Sequence, residues 1–360
     1  MASAHKYMDI IAWVRRQITE GVFLPGDKFL SEAALQEQFG VSRQTVRRAL
    51  EELASSGSIL RVQGSGTYIA GASPGPALQA KPSASSTIGV ISTSLDDYIF
   101  PSIIRGIEGV FASSGYGLQL ASSQDEVAGE TRALQRMLES NLAGLVVEPT
   151  KSGLPCVNLD LYHRLEQLGI PLVFTDSHYS ELSAPFVAPD DEAVGYLATK
   201  YLIDMGHRDI VSIFTHSNRA GRLRYLGHMK ALSAHGIPLR DDRVHWYTLE
   251  DMHHLVNGEL FQASLQECTA ALCYNDHLGT ALSESLGRRG LSIPKDLSII
   301  SVDNTALAQL YGFTSVIHPG ERLGEAAAKL LLSIINGAPG ESILFPPEIF
   351  VRNSVKRLEA

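Results

Sequence analysis

Forty residues, Ser31 to Ala70, constrain this chain more than any other stretch of it. Glu32 to Phe39 reads as a short helix entered at Ser31, and Gly40-Val41 reads as a turn. Ser42 then caps a second helix that carries Arg43, Arg47 and Arg48. In that second helix Val46, Ala49, Leu50 and Leu53 fall at i, i+3, i+4 and i+7, which makes one apolar face. Arg43 and Arg47 sit four apart, so they share a different face and are free to reach outward. Beyond Ser55-Ser56-Gly57, Ile59 to Ile69 alternates as a hairpin whose tip is Gln63-Gly64-Ser65-Gly66. The sum is a small α+β winged helix-turn-helix, whose second helix can enter a DNA major groove. The competing reading is a small helical subdomain with solvated arginines.

At 360 residues the chain is too long for one ordinary domain. A net charge of -9 looks wrong for a DNA binder until it is divided. Residues 1–70 hold eight Lys/Arg and seven Asp/Glu, or +1, so the remainder carries 22 minus 32, or -10. Local arginine clustering, rather than whole-chain charge, is what bears on DNA. Three cysteines, Cys156, Cys268 and Cys273, without metal-ligand spacing, argue for a reducing cytoplasm and against a disulfide or zinc framework. No run approaches the ~18 apolar residues of a membrane span, and Met1 to Met8 lacks a signal peptide's apolar stretch.

Residues 71–86 (GASPGPALQAKPSASS) contain 13 Gly, Ala, Ser or Pro out of 16, which predicts a semi-flexible linker. It separates a front domain, 1–70, from a back domain, 87–360. In the back domain short apolar runs alternate with amphipathic helical stretches. The runs are Ile88 to Ser92, Leu118 to Ala121, Leu145 to Val147, Leu172 to Thr175, Ile210 to Phe214, Ala270 to Tyr274 and Leu297 to Val302. That alternation predicts parallel sheets covered on both faces, in two doubly wound α/β lobes. The fold class is therefore multidomain.

Ligands of such sheets sit beyond the carboxyl ends of the strands. Strand ends here offer Asp96 to Phe100, Glu148 to Lys151, Asp176 with Tyr179, Arg222 to Arg224, Asn275-Asp276, Asp303-Asn304 and His318. Carboxylate, amide and guanidinium groups with one or two aromatics suit a monosaccharide, whose hydroxyls need directional partners and whose C–H face packs on a ring. The alternative for Asp276 and Asp303 is that they only cap helices or close turns.

At this point the motifs resemble known families. SEAALQEQFGVSRQTVRRALEELASSG followed by RVQGSGTYIA resembles the GntR family of winged-helix regulators. YLIDMGHRDI, RLRYLGH, CYND and SVDN resemble the LacI-type effector domain, which is similar to periplasmic sugar-binding proteins. The pairing, together with DDYIFPSIIRGIEG, GLVVEPTKS, HYSELSAPF and TSVIHPGERLG, is similar to the AraR-type family of arabinose repressors over nearly the whole chain. The resemblance implies a cytoplasmic, nucleoid-associated homodimer that holds double-stranded operator DNA and releases it when L-arabinose binds, with no other cofactor.

Carried over residue by residue, it places Lys6, Glu32, Ser42, Arg43, Gln44, Thr45, Arg47 and Arg48 on DNA, with the wing residues Gln63, Gly64, Ser65, Gly66 and Thr67. In the effector domain it gives Arg224, Asn275 and Asp303 to the sugar, with Tyr98, Phe100, Glu148, Lys151, Tyr179 and His318 from motifs of the same family. LacI-type proteins usually carry their own headpiece and hinge helix. A proline- and serine-rich linker stands in that place here, so the hinge mechanism does not transfer.

Motifs of catalysis fail on context. Gly71 to Gly75 matches G-x-S-x-G but lies in the linker with a proline beside the serine. His207-Arg208-Asp209 resembles a kinase catalytic loop, yet Phe214 stands where that loop needs asparagine. Gly64-Ser65-Gly66 opens no helix and so is no phosphate cradle. His245, His253 and His254 lack the spacing of a zinc site. Cys268 and Cys273 read as small apolar residues in or beside a buried strand. Three rivals remain: a similar repressor answering to another sugar or metabolite, an enzyme of sugar metabolism with an accessory domain, and a transport-binding protein. The second lacks a paired acid and base, and the third lacks a leader.

Overall fold

Each boundary of the helix-turn-helix is fixed by a local hydrogen bond. In the computed structural model, Ser31 Oγ accepts the Ala34 amide at 3.2 Å and opens helix α2 (Glu32–Phe39). Gly40 closes it in the left-handed conformation, φ 60°, with its amide on the Gln36 carbonyl. Ser42 meets Thr45 through its hydroxyl at 2.9 Å as α3 (Arg43–Ser55) begins. Val46, Ala49, Leu50 and Leu53 of α3 are buried against Leu35, Ile59 and three residues of α1 (Ser3–Thr19): Ile10, Ile11 and Val14. Helix α1 escapes the sequence reading, although its apolar residues complete this core. Strands β1 (Ile59–Val62) and β2 (Gly66–Ile69) pair antiparallel, Ile59 opposite Ile69 and Val62 opposite Gly66.

The structure describes residues 3–19, 23, 29–55, 59–62, 66–69 and 86–359. The wing residues Gln63, Gly64 and Ser65 lie outside the described residues, as does the expected linker apart from Ser86. The chain divides into two compact units, Met1–Ser83 and Ala84–Ala360.

The second unit contains two lobes, each built on a six-stranded sheet. Lobe one holds β3 (Thr87–Ser92), α4 (Phe100–Ser113), β4 (Gly117–Ser122), α5 (Val127–Glu139), β5 (Gly144–Val147), α6 (Leu159–Gln167), β6 (Leu172–Thr175) and β7 (Phe186–Pro189). The chain then crosses to lobe two, with α7 (Asp191–Asp204), β8 (Ile210–Thr215), α8 (Arg219–Ala234), β9 (Val244–Tyr247), α9 (Met252–Asn257), α10 (Glu259–Leu265), β10 (Ala270–Cys273), α11 (Asp276–Gly287), β11 (Ser298–Asp303), α12 (Ala306–Tyr311) and β12 (Thr314–Ile317). It returns to lobe one as α13 (Gly320–Ile335) and β13 (Ile343–Phe345), and β14 (Ile349–Phe350) closes lobe two.

The sheet order is β13-β7-β6-β5-β3-β4 in lobe one, all parallel, and β14-β12-β11-β10-β8-β9 in lobe two, with only β14 antiparallel. Strands buried on both faces, such as Gly144–Val147 and Ala270–Cys273, read as unbroken apolar runs for that reason.

In each lobe one helix pair packs closely through reciprocal glycines. A Cβ on Gly195 of α7 would collide with the Arg224 carbonyl, and one on Gly227 of α8 would collide with the Glu192 carbonyl. In lobe one Gly106 of α4 faces the Glu321 carbonyl, and Gly324 of α13 faces the Ile103 carbonyl, equally closely. This close crossing of α7 and α8 sets where Arg224 stands.

Candidate effector cavity and DNA-reading face

On and before α3, Ser42, Arg43, Gln44, Arg47 and Arg48 are exposed and Thr45 is partly buried. Glu32 of α2 spans two of the arginines: Arg43 Nε donates to Glu32 Oε2 at 3.2 Å, and Arg47 Nε stands 3.8 Å from Oε1. Two cations on one face are thus held by one carboxylate from the preceding helix. Arg48 stands apart from that pair. Its guanidinium lies 4.4 Å over the Tyr7 ring of α1, because it sits one step round the helix from Arg47. Gly66 opens β2 and Thr67 follows half-buried, its carbonyl accepting the Phe29 amide at 2.7 Å. Lys6 lies on α1, with its side chain outside the described residues.

In the second unit a cavity of about 840 Å³ opens between the lobes. Its walls come from the carboxyl ends of strands in both sheets: Thr93 after β3, Glu148 after β5, Asp176 after β6, Asn218 after β8, Tyr274 after β10 and His318 after β12. Arg224 is its buried centre. It donates from Nε to Asp191 at 2.8 Å and from Nη1 to the Tyr274 carbonyl at 2.7 Å, and Nη2 stands 3.6 Å from Asp303 Oδ1. Burial pushes the Asp191 carboxyl up to about 6, and Arg224 works against that rise.

Asp303 takes the Tyr98 hydroxyl on Oδ2 at 2.6 Å, while its buried Oδ1 has no hydrogen-bond partner. His318 sits beside it, its amide 3.3 Å from the Asp303 carbonyl, and places Nε2 2.7 Å from Asp176 Oδ1. Burial opposes charge on both members of that pair. Their mutual hydrogen bond and attraction outweigh it, raising the imidazole and lowering the carboxyl. When the imidazole is charged it has a second N–H, on Nδ1, an atom that is buried without a hydrogen-bond partner.

Glu148 is held by Ser92 and Thr93 and is raised, first by burial and then by Asp176. Asp303 and His318 both line the cavity, and each buries one polar atom that has no hydrogen-bond partner: an acceptor on Asp303 and, when the imidazole is charged, a donor on His318. A hydroxyl both donates and accepts, so a polyhydroxyl ligand satisfies both.

Seven expected residues line this cavity: Tyr98, Phe100, Glu148, Arg224, Asn275, Asp303 and His318. Asn275 also caps α11, its Oδ1 accepting the Leu278 amide at 3.0 Å. Two expected residues stand elsewhere. Tyr179 is buried in lobe one, its phenol oxygen 2.9 Å from Glu130 and 2.7 Å from the Thr150 carbonyl, because its ring fills the core beside Tyr162 and Phe174. Lys151 turns away to Glu250, 3.6 Å distant. Asp276 proves to be a buried cap that accepts from Ser301, Ser315 and Thr305.

The sequence reading passed over Asp191, Tyr274 and His277. Asp191 follows β7, whose Phe186-Val187-Ala188-Pro189 is too short and too proline-marked to read as a strand. With that strand known, the strand-end rule selects Asp191.

Comparison with known proteins follows the same division. The family described as bacterial regulatory proteins, gntR family, matches residues 6–69, and the periplasmic binding protein-like domain matches 199–355. An arabinose metabolism transcriptional repressor of Halalkalibacterium halodurans is 36% identical, covering 97% of this chain and 96% of its own. The repressor of the same description from Geobacillus stearothermophilus is 35% identical over 98% of each chain. The chain belongs to this family of transcriptional repressors. The crystal structure of the transcription regulator CcpA of Lactococcus lactis superposes with a TM-score of 0.68 at 26% identity, over 76% of this chain and all of that one. This repressor is accordingly a DNA-binding regulator with an effector domain, not an enzyme. No helix among its described residues is long and apolar enough to cross a membrane.

Proposed function

We propose that this repressor acts in the cytoplasm as a homodimer, holds the operators of arabinose-utilisation genes when sugar is absent, and releases them when L-arabinose enters the cavity between the lobes. The reading is carried by two residues that line the cavity, Asp303 and His318, each with a buried polar atom (Oδ1 and Nδ1) that makes no hydrogen bond, an acceptor and donor set that suits adjacent sugar hydroxyls. The names of the two repressors, 36% and 35% identical, support the choice of arabinose.

At the operator, Arg43 and Arg47 would each bond guanine O6 and N7, and Gln44 or Thr45 would meet adenine or a thymine methyl. A two-fold dimer then reads a pseudo-palindrome. Sugar bound between the lobes favours the closed arrangement, and a coupling of about 1–3 kcal/mol changes DNA affinity about 5–150-fold.

The deciding experiment is a gel shift on DNA upstream of the chain's own coding region, with and without L-arabinose. Calorimetry across L-arabinose, D-ribose, D-xylose and D-galactose accompanies it. Expected is tightest binding of L-arabinose and loss of the shifted band on its addition. Release by a different member of the panel, with none by L-arabinose, reassigns the effector. A band that no sugar moves overturns the reading.

A further inference from the structure

We infer that Tyr98 is the positioning residue of effector recognition: it reaches across the cleft from lobe one and holds one oxygen of Asp303, so that the other, buried and without a hydrogen bond, is kept off Arg224 for the ligand to engage. This rests on the sugar-effector reading above and goes beyond it, because it assigns an order of construction to the cavity wall.

Tyr98 belongs to the turn between β3 and α4, in lobe one. All its polar contacts lie in lobe two. Its hydroxyl donates to Asp303 Oδ2 at 2.6 Å and accepts the Asp276 amide at 3.1 Å, and its ring packs 4.3 Å from the His277 ring. The phenol thus uses its single proton on Asp303 and a lone pair on the backbone of α11, which leaves it no freedom to turn. Burial, then the neighbouring carboxylates of Asp303 and Asp276, push the phenol well above its ordinary value, so it stays the donor at every working pH. Its backbone is left-handed, φ 59°, a region that bulky side chains avoid, and such outliers persist where surrounding contacts dictate them.

The reason Asp303 needs such a restraint lies on its other side. Arg224 Nη2 stands 3.6 Å from Asp303 Oδ1, inside ion-pair range but beyond a hydrogen bond. An Asp303 side chain free to turn would close on Nη2 of that guanidinium as a charge-assisted hydrogen bond and use up the oxygen that a ligand hydroxyl requires. Asp276 offers no substitute, because its carboxylate is already occupied by Ser301, Ser315 and Thr305. Tyr98 therefore keeps Asp303 off Arg224 and, in the same contact, ties the lobes into the geometry that the effector meets. Asp303 contacts the ligand in this account, and Tyr98 acts through it.

The test is a double-mutant cycle read by calorimetry with L-arabinose on the full-length protein: wild type, Tyr98→Phe, Asp303→Asn and the double variant. Tyr98→Phe keeps the ring and its packing on His277. It is expected to weaken L-arabinose binding about 10- to 100-fold, the effect of losing one hydrogen bond to a charged group, and to raise the sugar concentration for half-release of DNA equally. In the Asp303→Asn background the same change is expected to matter less than about threefold, because there is no carboxylate left to hold. Effects that multiply independently, or a Tyr98→Phe protein that binds within threefold of wild type, overturn the inference while leaving the effector reading intact. A wild-type protein that binds none of the sugars overturns both. Thermal melting of the unliganded variants supplies the structural control. A melting shift without an affinity shift makes Tyr98 a packing residue and refutes the assignment.

Discussion

His318 gives the cavity lining a charge that depends on pH. Its value is raised above the ordinary 6.5: burial opposes charge, and the Asp176 contact outweighs it. Below that value Nδ1 carries a proton and can donate. Once the imidazole is neutral its proton stays on Nε2 against Asp176, and Nδ1 becomes an acceptor. Sugar affinity is therefore expected to hold steady below pH 6.5 and to fall by about tenfold as pH rises through the raised value, as calorimetry from pH 6 to 9 would record. His318→Gln is expected to remove the His318 part of that dependence, leaving what the Glu148 carboxyl, pushed up to about 8 by burial and then by Asp176, contributes.

His228 titrates in the opposite sense. Thr199 Oγ1 donates to the Gly195 carbonyl at 2.8 Å, so it can only accept from His228 Nδ1, 2.9 Å away, and the ring is neutral. Burial depresses its value to about 4. The unfolded chain takes up a proton that the native state refuses. The stability contribution is complete above pH 6.5 and is lost as pH falls toward 4, by about 1.4 kcal/mol per pH unit. Denaturant melts between pH 7 and 4.5 check the slope, which His228→Gln flattens.

At the scale of elements, the α7–α8 crossing positions Arg224. Gly195 and Gly227 each meet the other helix's backbone where a methyl group would stand. Gly195→Ala is expected to push α8 away, cost about 1–3 kcal/mol of effector-domain stability, and weaken sugar binding through the displaced Arg224. Gly109 in α4 has open space at the same atom. Gly109→Ala should therefore raise stability by about 0.5–1 kcal/mol through helix propensity and leave sugar binding alone. Thermal melts and calorimetry on the two variants separate crowding from propensity. Identical responses would mean that the crossing tolerates a side chain. Neither position stands out in the sequence, where glycine inside a helical pattern reads only as a weakness.

At the scale of the whole molecule, reading DNA and sensing the effector belong to separate units of the chain. Arg47→Ala is expected to remove about 1–3 kcal/mol of base discrimination while calorimetry of L-arabinose stays unchanged. Equal loss of both would make Arg47 a folding residue instead. Glu32 reaches both Arg43 and Arg47, so the two arginines share one carboxylate.

What the chain's order of residues determines is local. Ser31, Gly40 and the i, i+3, i+4, i+7 stripe of α3 announce the helix-turn-helix, because caps and apolar faces are short-range chemistry. The apolar runs announce parallel strands for the same reason, since burial on both faces needs no polar alternation. The strand-end rule then finds Arg224, Asp303 and His318 before any coordinates are known. Only the tertiary structure decides which strand-end groups converge. It sends Tyr179 into the lobe-one core, turns Lys151 toward Glu250, and brings in Asp191 from behind a strand too short to read. Convergence is a matter of distances between residues far apart in the chain, such as Tyr98 and Asp303, which are 205 positions apart. No local pattern encodes such a distance, because it is set by how the two sheets and their crossing helices pack.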